Sequence, residues 1–115
     1  MLNIKTLEDV RKDGWEGSIN QLVNSDCVEF MKLLPDKSID LLLTDPPYGV
    51  GIGYDSYDDT EDNWFNLMRL FIPEAIRVSK MVIFPNARIK RMKFFYDNFE
   101  PDWWIVWDKG SPGIR

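Results

Sequence analysis

An α/β fold with a mostly parallel sheet and flanking helices is predicted by three features of the chain. Short apolar runs of strand length recur at 39–43, 81–84 and 103–107. The segments between them, 64–78 and 87–99, carry apolar residues at helical spacing and are long enough for crossovers. Strand, helix, strand, helix, strand in that order pairs the strands in parallel, because each connection must return over the sheet.

Composition narrows the class. The chain has 115 residues, 44% of them hydrophobic and 29% charged, the make-up of one small folded domain rather than a disordered tail. Net charge is −5, so no global positive field draws it to nucleic acid or membrane, and any such binding is local. Cys27 is the one cysteine, which excludes an intrachain disulfide and suits a reducing compartment. Histidine is absent, which removes the commonest general base and transition-metal ligand together. No charged-then-apolar leader follows Met1 and no apolar run reaches membrane-spanning length, so a cytoplasmic location without membrane contact is expected.

Taken in order, Thr6 caps a short helix through Lys12 that Gly14 stops, or the first residues form a frayed extension, 1–16. Residues 19–23 alternate apolar and polar as a strand does. From Cys27, the positions Val28, Phe30, Met31, Leu33 and Leu34 fit a two-turn helix ended by Pro35. The run at 39–43 is nearly continuous in apolar residues, the pattern of a strand buried on both faces. Pro46 and Pro47 end it, because proline cannot donate to a ladder.

Helical periodicity over 64–78 is interrupted by Pro73, which predicts a kink or break. The next strand, 81–84, closes at Pro85. A helix over 87–99 carries Ile89, Met92, Phe95, Tyr96 and Phe99 on one side and Arg88, Lys90, Arg91 and Lys93 on the other. Trp103, Trp104 and Trp107 read as core residues of a last strand rather than base-stacking surfaces.

Between the two prolines and the long helix lie Gly49, Gly51 and Gly53, then Asp55, Asp58, Asp59, Glu61 and Asp62. The glycines do not sit between a strand and a helix at dinucleotide spacing. The carboxylates lack calcium-loop spacing, so they read as solvated loop charge at a helix start, not as a metal site.

The stretch Ser25–Gly49, SDCVEFMKLLPDKSIDLLLTDPPYG, resembles the start of the amino-methylating DNA methyltransferases of the Asp-Pro-Pro-Tyr type, permuted subgroup. The similarity continues more loosely to Trp107-Asp108-Lys109. It implies a partial Rossmann-like methyltransferase fold in residues 17–115, with S-adenosyl-L-methionine as donor and DNA as partner. It implies site-specific methylation of the exocyclic amino group of adenine, in the setting of restriction and modification.

By that resemblance Asp45, Pro46, Pro47 and Tyr48 form the catalytic turn. An exocyclic amino nitrogen is a poor nucleophile because its lone pair is delocalised into the ring. The Asp45 carboxylate and the Pro46 carbonyl would accept its two hydrogens, and Pro47 would stiffen the turn. Tyr48 would stack on the base once it is extruded from the duplex. Asp26, Cys27 and Asp45 are the candidate donor contacts. Asp26 alternatively caps the following helix, and Cys27 alternatively packs. Tyr48, Arg88, Lys90, Arg91, Lys93 and Lys109 are the candidate nucleic-acid contacts, with a solvated helix face the alternative for the four central cations.

The chain departs from that family in lacking a Phe-x-Gly-x-Gly donor segment and a target-recognition region. The resemblance therefore implies a gap in the sheet between 19–23 and 39–43, filled in the family by strands from the other half. A C-terminal half or complementary subunit would supply them, and the 115-residue chain alone is expected to bind the donor weakly or not at all. Cytosine as target, and an inactive nucleic-acid-binding remnant, are the alternative functions.

Overall fold

The computed structural model describes residues 3–86, 88–108 and 110. Its first unit is a strand, β1 (Ile4–Thr6), running into a helix, α1 (Leu7–Asp13). Thr6 ends the strand and caps the helix. Its Oγ1 accepts from the Asp9 amide at 3.2 Å, and Asp9 Oδ2 accepts from the Thr6 amide at 2.8 Å. This reciprocal box satisfies two otherwise orphaned donors, and Gly14 at φ 79° terminates the element. The capped-helix alternative is the one adopted.

The second strand, β2 (Leu22–Asn24), pairs in parallel with β1 in the register Ile4↔Leu22, Lys5↔Val23, Thr6↔Asn24. It begins later than the alternation at 19–23 predicts. A 3-10 turn at Trp15–Ser18 runs up to Ile19, whose amide bonds to Glu16 O at 3.2 Å. Asn20 then takes φ 58°, a left-handed conformation that no strand accommodates.

Helix α2 (Cys27–Met31) follows, and bonds from Lys32, Leu33 and Leu34 back to Val28, Phe30 and Met31 carry the coil on to Pro35. Strand β3 (Ile39–Leu43) stands where the apolar run predicts it. It pairs in parallel with β4 (Ser79–Ile83), Leu41 facing Met81 and Leu43 facing Ile83. The two pairs form separate sheets, and β2 is not hydrogen-bonded to β3. Burial corrects one expectation. Strand β3 is covered on one face only, with Leu41 48% and Leu43 70% exposed beside Met81 at 58%. A parallel pair normally has both faces covered.

The crossover between β3 and β4 is the long helix α3 (Glu61–Val78). Its buried stripe, Trp64, Met68, Phe71, Ile72, Ala75 and Val78, follows helical spacing and forms the centre of the core. Thr60 caps it by accepting from the Asn63 amide at 3.2 Å. The helix runs through Pro73 without a break. Pro73 lies on the exposed side of the helix. Arg77 ties the helix end to α2 through Met31 O and Leu34 O, each at 2.8 Å, and Lys37 Nζ bonds to Ile76 O at 2.7 Å and Ser79 O at 2.9 Å.

After β4 the segment expected as one helix divides into a 3-10 turn, Ile89–Arg91, and α4 (Met92–Phe99). Phe95 seats α4 on α3, its ring 5.7 Å from that of Trp64 in an edge-on arrangement. Residues 103–107 form no strand. Trp104 packs on Phe95 and Tyr96, but Trp103, Ile105, Val106 and Trp107 are 77–89% exposed. An apolar run becomes a strand only where a neighbouring backbone completes its ladder, and none among the described residues does so here.

Candidate functional site

The Asp-Pro-Pro-Tyr turn begins two residues past the C-terminal end of β3, the edge at which open α/β sheets place ligands. Its entry is anchored because the Thr44 amide bonds to Ile83 O at 3.2 Å, tying the turn to the end of β4. Asp45 is exposed, and Pro46, Pro47 and Tyr48 are half-buried. The Tyr48 hydroxyl donates to Asp45 Oδ1. That hydrogen bond to the carboxylate, followed by desolvation, pushes the Tyr48 hydroxyl up to about 12.

Behind the turn the backbone is held on both sides. Asp59 is buried, and its carboxylate accepts from the amides of Gly49 at 2.7 Å, Val50 at 3.0 Å and Ile52 at 3.1 Å. Burial raises its carboxyl pKa, but the amides of Val50, Ile52, Gly49 and Gly51 outweigh burial together and hold it below the usual carboxylate value. Arg91 is 3% exposed; it donates to Tyr48 O, and to Gly49 O at 3.0 Å. Its guanidinium lies 3.9 Å from the centroid of the Trp64 ring and 3.7 Å from Glu61. Burial lowers its pKa, with the Glu61 carboxylate opposing. Gly49 fits between them for want of a side chain. A Cβ there would stand 2.6 Å from Trp64 Cβ and 2.9 Å from Arg91 Nη2.

These contacts correct the placing of Arg91 among the phosphate-facing cations. The 3-10 turn at Ile89–Arg91 rotates it inward, onto carbonyls and an aromatic face. Arg88, Lys90 and Lys93 are exposed, and Lys93 pairs with Asp97 at 2.6 Å. Lys109 lies outside the described residues. Arg88 lines an open cleft of about 780 Å³ whose other walls are residues 49–61, so this cleft starts just beyond the Asp45–Tyr48 turn.

Asp26, two residues past β2, caps α2 by accepting from the Glu29 amide at 3.0 Å through Oδ1. Cys27 is free and exposed. It lines a second cleft, about 700 Å³, between the β2 and β3 strands, together with Val23, Ser25, Phe30 and Ile39. Asp26 and Asp45 each follow the C-terminal end of a strand, but the strands belong to separate sheets, and no hydrogen bond joins the two residues. Among the described residues no group of three acidic or thiol side chains is placed to hold a metal ion, and no helix is long and apolar enough to cross a membrane.

Asp59 was not distinguished from the other loop carboxylates by sequence. The signal available was its position just before the Thr60 cap and ten residues after Gly49. Glycines at positive φ (Gly49 at 62°, Gly51 at 83°) turn successive amides towards one point, and a carboxylate returning to that point satisfies them.

In sequence, the chain is similar to Type II methyltransferases. The chain is 28% identical to the Type II methyltransferase M.HinfI of Haemophilus influenzae over 88% of its own length and 34% of the relative's. It is 31% identical to M.HpaI of Haemophilus parainfluenzae over 76% of this chain and 31% of that one. A shorter stretch, 34% of the chain, is 52% identical to M.MjaVI of Methanocaldococcus jannaschii. The chain thus spans about a third of the length of the first two. No family model and no solved structure matches it.

Proposed function

We propose that the chain is the catalytic-turn portion of a site-specific DNA methyltransferase that moves a methyl group from S-adenosyl-L-methionine to the amino nitrogen of adenine. The observation that carries this is the turn itself, an exposed carboxylate and a half-buried aromatic ring fixed at the end of a parallel strand. Its likeness to Type II methyltransferases supports the reaction class. Asp in the first position of the turn favours adenine over cytosine.

Asp45 and the Pro46 carbonyl each accept one hydrogen of the base amino group, drawing the nitrogen towards tetrahedral geometry and releasing its lone pair. The ring of Tyr48 supports the extruded base from one face, with its hydroxyl turned away from Asp45. The donor, when bound, supplies an electrophilic methyl on a sulfonium. Asp26 offers a carboxylate near the end of β2 for a donor hydroxyl, but one oxygen already caps α2. Pro46, Pro47 and Cys27 add no charged or amide cradle for the donor's amino-acid part, so the described residues do not complete its site.

The uncovered apolar face of Leu41, Leu43, Met81 and Ile83 supports a further polypeptide segment seated on the sheet, in the same frame or in a second chain. That segment would bring the donor cradle and the base-recognition surface. The test is transfer of tritium from labelled donor to adenine-containing duplex, assayed with the rest of the reading frame where one exists. Asp45→Ala abolishes transfer if the proposal holds. Equal activity of Asp45→Ala and its parent overturns it, and transfer to cytosine alone reassigns the base.

A further inference from the structure

We propose that Asp59 and Arg91 act as a pair of positioning residues that fix the backbone behind the Asp45–Tyr48 turn, Asp59 from its amide side and Arg91 from its carbonyl side. The inference rests on the reading of that turn as the base-capturing element, and it deepens it by naming what holds the turn still.

Over residues 48–52, three backbone amides and two backbone carbonyls are held by two buried charges. The carboxylate collects the amides of Gly49, Val50 and Ile52, and the Asp59 carbonyl takes the Gly51 amide at 2.9 Å. The guanidinium collects the carbonyls of Tyr48 and Gly49. Neither charge is available for solvent or phosphate, at 2% and 3% exposure. A buried charge without compensation is costly, so each is retained only where the backbone groups it meets are held in place in return.

Both residues are themselves tied to the core. Asp59 directly precedes the Thr60 cap of α3, and Arg91 lies over Trp64, one turn into the same helix. The turn is thereby referenced to α3, the most deeply packed element, instead of following the mobility usual for a connecting loop. The side chains that would touch the base are left outside this arrangement. Asp45 and Tyr48 contact each other through side chains, while the hydrogen bonds of Asp59 and Arg91 to residues 48–52 go to backbone atoms. An acceptor that must meet an amino hydrogen within a few tenths of an ångström needs such a fixed backbone and a mobile side chain.

The test uses the 115-residue chain, labelled with ¹⁵N and with ¹³C at tyrosine Cζ. In the parent, the amides of Gly49, Val50 and Ile52 shift together at one acid midpoint, below the ordinary carboxylate value of 3.8. This arm needs no variant, and three unrelated midpoints, or none, would overturn the proposal. Asp59→Asn and Arg91→Lys are then compared. Hydrogen exchange at those amides speeds by about tenfold or more in Asp59→Asn, while the amides of Met68, Ala75 and Val78 keep their protection. In both variants the Tyr48 hydroxyl titrates lower than about 12, towards 10.0, as its bond to Asp45 loosens. A general loss of stability leaves that midpoint where it was in the folded fraction. An unchanged Tyr48 midpoint in both folded variants refutes the positioning role. These readouts need no methyl transfer, so failure of the Asp45→Ala test and failure here are separate results.

Discussion

Replacing Gly49 by alanine tests whether the turn is held as tightly as its contacts indicate, and Gly51 supplies the control. Both glycines have positive φ, 62° and 83°. An L-residue in that region costs about 1–2 kcal/mol through its Cβ and the following carbonyl. At Gly51 nothing lies within 4 Å of a built Cβ, so Gly51→Ala is expected to cost only that much. At Gly49 the added carbon meets Trp64 Cβ at 2.6 Å, and Trp64 Cβ is fixed to the backbone of a buried helix. It cannot swing aside as a side-chain end can. Overpacking of this kind adds about 1–3 kcal/mol. Gly49→Ala is therefore expected to lose about 2–5 kcal/mol, a large share of the roughly 5–15 kcal/mol that holds a small domain. Urea unfolding followed by tryptophan fluorescence measures both variants, with equal m-values required for comparison. If the two alanines cost the same within about 0.5 kcal/mol, the close approach of Gly49 to Trp64 does not constrain the turn. The reasoning would then be wrong.

Tyr48→Ala is expected to weaken capture of an extruded base by about 1–3 kcal/mol, read as a rise in Kd for a duplex carrying a mismatch at the target. Tyr48→Phe keeps the stacking ring and removes the hydroxyl from Asp45, so it is expected to bind that duplex at least as well as the parent. Weaker binding by Tyr48→Phe would show that the hydroxyl contacts the nucleic acid. The Asp59 carboxyl is held below 3.8, so its contribution to stability is complete above that pH and is lost as pH falls through the depressed value. Urea midpoints measured between pH 6 and 2.5 (on the order of that window) should therefore fall less steeply for Asp59→Asn than for the parent. Parallel curves would refute the assignment.

What sequence made legible follows local chemistry. Thr6 with Asp9, Asp26 before Cys27 and the stripe from Trp64 to Val78 each depend on neighbours a few residues away, and each stands where that chemistry puts it. The run at 39–43 was legible as a strand from Ile39 and the leucines at 41–43, bounded by the prolines that follow. Its burial was not legible, since Leu41 and Leu43 need another layer to cover them and no residue in 39–43 says whether one is there. Residues 103–107 show the same limit more sharply. Their pattern states a preference for a sheet, but a ladder requires a partner backbone that only the tertiary structure supplies. Arg91 was missed for a different reason. It reads as one of four cations on a helix face, and a single 3-10 turn ahead of α4 is enough to rotate it from solvent to core.

The division of labour around the turn bears on how a base would be admitted. Tyr48 and Asp45 satisfy each other while no base is present, and this contact lies between two side chains rather than within the clamped backbone. A base amino group arriving at Asp45 exchanges one hydrogen bond to the carboxylate for another, and exchanges of this kind are close to neutral, since each bond nets about 0.5–3 kcal/mol. The Tyr48 ring, released by the same exchange, becomes available to stack. Capture would then require neither an unsatisfied carboxylate beforehand nor movement of residues 49–52. Had Asp45 instead been tied to the backbone as Asp59 is, three amides would have to be given up to free it. The positions of the two aspartates, one before the prolines and one before the helix cap, place one carboxylate on backbone amides and the other on a side-chain hydroxyl.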